Sequence, residues 1–216
     1  MARVLGAAAL VLAAGAPAGV GAQTARPVPG PVVPPPEFLA AVEAGTRGVD
    51  GRPGPAYWQN RAQYRLDASL EPATGRVAGT VLIRYQNDSP DPLDRLVLHL
   101  HQNLHAPGVA RNEPQEVTGG VRLGEVRVDG RVLEPADPDG PPRAGYRVEG
   151  TLLYLGLGRP VDPGGVVEVE VAWSVVLPAS GAGRMGDSDR EVFFVGYWYP
   201  RMATFDDLRG WDAEPY

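Results

Sequence analysis

The fold class is decided by one stretch, residues 166–177, which reads Val166-Val167-Glu168-Val169-Glu170-Val171-Ala172-Trp173-Ser174-Val175-Val176-Leu177. Large apolar side chains occupy every second position from Val167 to Leu177. A strict period of two is the pattern of a β-strand that buries one face. The turn residues Pro163-Gly164-Gly165 come directly before it and allow the chain to reverse direction. The longest alternating run of the chain therefore predicts a central strand.

The same period of two recurs in shorter segments on both sides of this stretch. The segment 64–70 places four apolar side chains on a face that is expected to be buried: Tyr64, Leu66, Ala68 and Leu70. A second strand follows over 77–85, so the two predict a hairpin. Asp129-Gly130 predicts a type I′ turn between two later strands. About eight short strands without a long helix predict an all-β, antiparallel, sandwich-like domain.

The N-terminal residues have the pattern of a secretory signal peptide over 1–22. Arg3 precedes an uncharged apolar run, which ends at the small residues Val20-Gly21-Ala22. A membrane anchor is the alternative, but glycine and proline dilute the run below what a spanning helix needs. The chain is therefore expected to be exported to the periplasm or the extracellular space, with no membrane association after cleavage.

Composition sets the domain organisation and excludes several classes of function. Residues 23–56 form a Pro/Gly-rich leader, expected to be disordered apart from a short helix over 37–44. The β domain is predicted over 57–216, and about 160 residues are enough for one domain. The net charge of −6 argues against a nucleic-acid partner. Because the chain has no cysteine, disulfides and thiolate metal sites are excluded.

Three groups of residues are candidates for a site. Aromatic residues are concentrated at Tyr57-Trp58 and over 193–211, either as caps on the core or as a binding surface. His99 and His101 share one face of a predicted strand, which is a metal-ligand geometry, although solvent-facing or otherwise satisfied histidines are the favoured interpretation. The acidic cluster near the end has no calcium-loop pattern and is expected to be a solvated surface. The histidine group consists of His99, His101 and His105. The acidic cluster consists of Asp206, Asp207, Asp212 and Glu214.

Several stretches, in the same order along the chain, resemble the N-terminal β domain of the aminopeptidase N family of zinc metallopeptidases. They are residues 57–64 (YWQNRAQY), 79–91 (GTVLIRYQNDSPD) and 98–103 (LHLHQN). The later stretch 193–202 (FFVGYWYPRM), together with Asp206-Asp207 and Gly210-Trp211, is similar to the bacterial exported branch of that family. The resemblance implies a saddle-shaped antiparallel domain packed against a thermolysin-like catalytic domain. In the family, that second domain binds zinc through His-Glu-x-x-His and a later Glu.

Neither that zinc motif nor the family's Gly-x-Met-x-Asn strand occurs in this chain. No catalytic, cofactor-binding or metal residue is therefore assigned here, and the chain is expected to be inactive alone and incomplete at its C-terminal end. The resemblance implies a catalytic domain as partner, with zinc and a peptide substrate in the full-length protein. It also places a substrate-cleft or interdomain surface at four residues: Trp198, Tyr199, Arg201 and Met202. The alternative is a stand-alone secreted β-sandwich module for binding or adhesion, which would use the aromatic stretch 193–211.

Overall fold

The computed structural model describes residues 30–31, 33–136, 144–179 and 184–216. The predicted signal peptide and the first part of the predicted leader lie outside these residues. Pro34–Tyr216 forms one compact unit, so residues 34–56 belong to the same unit as the strands. Among the described residues, no helix is long and apolar enough to cross a membrane.

One α-helix, one short 3₁₀ helix and thirteen strands make up the regular structure of the described residues. The helix α1 spans Pro36–Glu43 and the 3₁₀ helix spans His101–His105. The strands are β1 (Arg61–Glu71), β2 (Arg76–Gln86), β3 (Leu93–His99), β4 (Arg122–Val128), β5 (Arg131–Val132), β6 (Gly145–Glu149), β7 (Leu152–Val161), β8 (Val166–Val176), β9 (Met185–Ser188), β10 (Val192–Val195), β11 (Arg201–Met202), β12 (Phe205–Asp206) and β13 (Gly210–Trp211).

Two antiparallel sheets form the layers of the domain. The larger has the order β1-β2-β8-β4-β5 and the smaller the order β11-β3-β7-β6. Two short ribbons, β10-β9 and β12-β13, complete the described strands. The core consists of side chains from both sheets, which confirms the prediction of an all-β, sandwich-like domain.

Strand β8 lies at the centre of the larger sheet, as its sequence predicts. It pairs along its whole length with β2, from Arg76↔Val176 to Gln86↔Val166, and with β4 on its other side. Val169 and Val171 are fully buried, whereas Glu168 and Glu170 are exposed on the opposite face. Burying one valine or leucine side chain contributes about 1.5–3 kcal/mol, so this apolar row holds the two layers together.

Local signals in the sequence are confirmed at two points. Asp129 and Gly130 have φ values of 47° and 75°, the left-handed pair that a type I′ turn requires. The predicted short helix is α1, which begins at Pro36, where proline is tolerated because that N–H has no partner within the helix. The chain leaves the helix through Gly45 at a φ of 75°, as at many helix C-termini.

The prediction of a buried face on β1 is wrong. Tyr64, Leu66 and Leu70 keep 37%, 36% and 38% of their surface exposed. They lie opposite Ile83, Val81 and Val77 of β2, so they do point toward the core side of the sheet. Because β1 is the outermost strand of the larger sheet, only part of that side is covered. Alternation correctly predicts which way a side chain points but carries no information on what lies above it.

Candidate functional site

The segment 196–200 links β10 to β11, which is an edge strand of the smaller sheet. Strand β11 pairs with the end of β3, with Arg201 opposite His99 and Met202 opposite Leu98. Tyr197 has a φ of 49°, a left-handed conformation that bulky residues rarely adopt. Such strain persists only where surrounding contacts impose it, and it is concentrated at functional sites. The conformation of Tyr197 therefore makes this segment a candidate site.

Tyr197 is the centre of a stacked group of aromatic and cationic side chains. Its ring stacks on His101 with centroids 4.7 Å apart, and the guanidinium carbons of Arg184 and Arg201 lie 5.2 and 5.3 Å from its centroid. Arg184 Nη1 also donates a hydrogen bond of 2.9 Å to the Tyr197 hydroxyl. Tyr216 packs edge-on against His101 at 4.9 Å. We call these five residues the Tyr197 cluster.

The base of the Tyr197 cluster is a pair of buried histidines. The rings of His99 and His101 are 4.9 Å apart, and neither Nδ1 atom has a hydrogen-bond partner among the described residues. Burial, the neighbouring His99 and Arg201 lower the pKa of His101 to about 4. Burial and Arg201 also lower the pKa of His99, although Asp212 opposes the change. Both imidazoles are therefore neutral at pH 7, and the charge of the cluster comes from its two arginines.

The three histidines do not come together as one metal centre. His105 Nδ1 lies 2.8 Å from the carbonyl oxygen of Glu116, and its ring is not part of the His99–His101 stack. Within the described ranges, no group of three or more His, Asp or Glu side chains could hold a metal ion. Buried rather than solvent-facing, His99 and His101 contribute to packing at the end of β3.

The four residues predicted as a cleft or interdomain surface have different environments. Trp198 packs on Trp173 at 5.5 Å, and Tyr199 packs edge-on against Tyr64 at 5.9 Å. Met202 is buried in the core, so its side chain is not part of a surface. Arg201 is the exposed member of the four and belongs to the Tyr197 cluster. A role for this segment in a substrate cleft stays a prediction.

A second aromatic group brings together residues from three parts of the sequence. Trp58 stacks on Phe205 at 5.6 Å, Phe205 contacts Trp211 at 5.1 Å, and Trp211 contacts Tyr85 at 5.8 Å. Asn60 donates a hydrogen bond of 2.8 Å to the Tyr85 hydroxyl, whose pKa burial raises to about 12. We call these five residues the Trp58 cluster. Its members come from three stretches that are far apart in the sequence.

The turn after β2 is held together by the buried amide of Asn87 and is linked to the Trp58 cluster through Asn60. Asn87 is fully buried, and its Nδ2 donates to the carbonyl oxygens of Asp91 at 2.8 Å and Val161 at 2.9 Å. Its Oδ1 accepts from the backbone N–H and the hydroxyl of Ser89. Asn60 Oδ1 accepts from the backbone N–H of Asp88 at 2.7 Å. This network gives the polar residues of stretch 79–91 a structural role.

The acidic residues near the end of the chain are not a uniformly solvated surface, which corrects the prediction for Asp207. The Asp207 carboxylate accepts hydrogen bonds from Arg47 Nη2 at 2.6 Å, Arg47 Nε at 2.9 Å and the Thr46 hydroxyl at 2.6 Å. Only 6% of its side chain is exposed. The bond from Arg47 is the largest cause that lowers the pKa of Asp207 to about 2. Asp206 caps the following turn, whereas Glu214 forms an exposed pair with Arg209.

Comparisons with known proteins give structural likeness without a family assignment. No protein-family model matches the chain, and no curated protein matches it in sequence. One similar structure is a two-domain M1 zinc metallopeptidase variant bound to L-tryptophan, at 17% identity and a TM-score of 0.38, with 62% of this chain and 24% of that chain covered. Another is an M1 zinc metallopeptidase variant from Deinococcus radiodurans, at 16% identity and a TM-score of 0.39, with 63% and 26% covered. A two-domain M1 zinc metallopeptidase variant bound to L-arginine gives the same identity, TM-score and coverage. The chain thus spans about a quarter of the length of the structures it matches.

Proposed function

We propose that this chain is the N-terminal, non-catalytic β module of a larger exported zinc metallopeptidase of the aminopeptidase N type. In that role it packs beside a catalytic domain and forms one wall of the substrate cleft. In this proposal the zinc belongs to the catalytic domain.

The observation that carries the proposal is the assembly of the Trp58 cluster. Stretch 57–64 contributes Trp58 and Asn60, stretch 79–91 contributes Tyr85, and the Gly210-Trp211 pair contributes Trp211. Phe205, directly before Asp206-Asp207, joins Trp58 to Trp211. Trp58, Asn60, Tyr85 and Trp211 belong to stretches whose sequences resemble the family. Their mutual contacts support the proposal, because stretches that characterise one domain are expected to pack together.

The Tyr197 cluster is the part of the module that would face the cleft. It presents Arg184 and Arg201 on an aromatic base, and both arginines are exposed. A cationic wall attracts carboxylates and repels a free ammonium group. We therefore propose that it favours substrates with acidic side chains or a nearby C-terminal carboxylate over contact with the α-amine of the peptide.

A stand-alone adhesion module would need an exposed aromatic surface over 193–211, and little of this stretch is exposed. Most aromatic residues of 193–211 pack against the core, namely Phe193, Trp198, Tyr199, Phe205 and Trp211. Phe194 of β10 is the exposed large apolar side chain of this stretch, at 48%, and Val192 directly before the stretch is 62% exposed. Two side chains on a short ribbon are less than the continuous apolar patch that such contact surfaces usually have.

The experiment compares this chain with the product of the same reading frame continued past Tyr216. We expect the isolated chain to retain no zinc and to leave an aminoacyl-p-nitroanilide intact, whereas the longer product binds zinc and cleaves it. In that product, Arg201→Ala is expected to raise the KM for an acidic peptide with little change in kcat, and Arg122→Ala on β4 is the matched control. A stop codon directly after Tyr216, or a longer product without zinc, would refute the proposal.

A further inference from the structure

Strand β1 leaves one long edge of the larger sheet open. It pairs with β2 along all 11 of its residues, from Arg61↔Gln86 to Glu71↔Arg76, and no described residue pairs with its other edge. Every second residue of such a strand directs its backbone N–H and C=O away from its neighbour. Proteins usually protect long edges with charged side chains, proline or a bulge. β1 contains no proline, its register with β2 is continuous, and its charged side chains are two of each sign, so they do not by themselves repel a second copy.

The side chains on the core side of this edge are only partly covered. Leu66 lies at the middle of β1 and is 36% exposed, with Tyr64 and Leu70 on either side at 37% and 38%. These residues share a face because alternate residues of a strand point the same way. A second sheet edge placed against β1 would extend this apolar row and remove part of it from water.

The charges of β1 are arranged symmetrically about Leu66, with opposite signs on the two sides. Arg65 comes one residue before Leu66 and Asp67 one residue after it. Arg61 comes five residues before Leu66 and Glu71 five residues after it. These four are the charged residues of the strand, and all lie on its polar face. When two such strands run antiparallel with Leu66 opposite Leu66, each arginine is therefore opposite a carboxylate of the other copy.

We propose that the occupant of this edge is a second copy of the chain, paired antiparallel through β1 with its two-fold axis at Leu66. The axis is then perpendicular to the sheets, since directly opposite residues of antiparallel strands point to the same face. The two larger sheets become one continuous ten-stranded sheet with both apolar rows on the same side. This interface is isologous, as most homodimer interfaces are, and it goes beyond the function proposed above.

The contacts that the four charged side chains already make are compatible with this pairing. Arg61 Nε lies 3.2 Å from Asp88 Oδ2, but the Arg61 side chain remains 73% exposed. The Glu71 carboxylate accepts a hydrogen bond from the exposed Thr74 hydroxyl at 2.8 Å and has further lone pairs available. A register shifted by two residues loses the opposition of unlike charges, so the charge pattern selects one register.

A charge-exchange experiment tests this register. Arg65→Asp places aspartate opposite Asp67 of the other copy at two symmetric positions, and Asp67→Arg places two arginines opposite each other. Either change is expected to raise the dimer dissociation constant about ten-fold or more, since unlike and like cross-strand pairs differ by up to about 1–2 kcal/mol. The double variant Arg65→Asp/Asp67→Arg restores both unlike pairs and is expected to dimerise like the original chain. Arg122→Asp, on the same sheet face but three strands away on β4, is the control.

A cysteine cross-link provides a second measurement that does not depend on affinity. The chain has no cysteine, so Leu66→Cys introduces a single thiol. Directly opposite Cα atoms in antiparallel strands are about 4.5–5.5 Å apart, within the range of a disulfide. Leu70→Cys is the matched control, because its exposure is similar but the two copies of position 70 would be about 27 Å apart at ~3.4 Å per residue.

The result that we expect is a dimer in sedimentation velocity, lost in each single charge variant, regained in the double variant, and trapped by mild oxidation of Leu66→Cys but not of Leu70→Cys. Circular dichroism melts would identify any variant that fails to fold. In that case, the comparison of cross-linking in Leu66→Cys and Leu70→Cys tests the proposal. A monomer at all micromolar concentrations, a double variant that remains monomeric although folded, or equal cross-linking at positions 66 and 70 would overturn the proposal.

Discussion

The ion pair between Arg47 and Asp207 gives the sharpest prediction for stability. It joins residues separated by 160 positions, and 6% of the aspartate and 20% of the arginine side chain are exposed. We expect Asp207→Asn to lower the free energy of unfolding at pH 7 by about 2 kcal/mol. That magnitude follows from the fall of the Asp207 pKa from 3.8 to about 2, at about 1.4 kcal/mol per unit.

The sign of the pH dependence follows from the direction of this shift. The folded chain releases the Asp207 proton more readily than the unfolded chain, so the contribution is present above the unfolded pKa near 4. It is lost as the pH falls through the folded pKa near 2. The difference between the original chain and Asp207→Asn should therefore shrink to about 1 kcal/mol at pH 3 and to less than about 0.5 kcal/mol at pH 2.

Urea unfolding followed by tryptophan fluorescence over pH 2 to 7 measures this difference directly. Asp50→Asn is the matched control, because Asp50 faces Arg52 at 3.4 Å in an exposed pair, with 57% and 85% of the side chains accessible. Exposed pairs contribute about 0–1 kcal/mol, so this control should change stability little at any pH. A difference for Asp207→Asn that stays constant from pH 7 to pH 2 would refute the electrostatic account.

Three further predictions concern single residues. His101 should be half-protonated near pH 4 in an NMR titration. Because its folded pKa lies below the ordinary value of 6.5, the free energy of unfolding should fall as the pH drops from about 6.5 to 4. A titration midpoint near 6.5 would contradict this. Gly79→Ala should lower the free energy of unfolding by about 1–3 kcal/mol in a denaturant melt, because the new Cβ would lie 2.3 Å from the Asp67 carbonyl oxygen. An unchanged unfolding midpoint would show that β1 can shift to accommodate the methyl group. Asn87→Ala should cost about 3 kcal/mol by leaving buried backbone carbonyls without donors, whereas the exposed Asn112→Ala should be neutral.

The sequence was sufficient to predict the elements that depend on neighbours along the chain. Alternation identified β8 and its buried face, and Asp129-Gly130 identified a turn whose two positive φ values the structure contains. Both signals are local, because a strand's faces and a turn's dihedrals depend on adjacent residues. The same local signal was misleading for β1, where exposure depends on the extent of the opposite layer and not on the strand itself.

The candidate site was predictable only in part, because its contacts join distant segments. The aromatic composition of 193–211 is visible in the sequence, but the stacking of Tyr197 on His101 depends on β11 pairing with β3. No spacing rule connects Arg47 with Asp207. The left-handed backbone of Tyr197 also has no signal in the sequence, since glycine and asparagine are the residues that normally mark such positions.

The distance in sequence between Arg47 and Asp207 has a consequence for the kinetics of folding. Asp207 lies between the strands of the last ribbon, β12-β13, and binds Arg47 in the segment before β1. Strand β11 pairs with β3 across about half of the chain. Closing such long loops costs conformational entropy before the contacts that offset this cost can form. Topologies dominated by non-local contacts therefore fold slowly. The segment that contains Arg47 can therefore dock on Asp207 only after almost the whole chain has been synthesised. During synthesis, the hairpin β1-β2 can form early, but the native state is completed only when Asp207 becomes available.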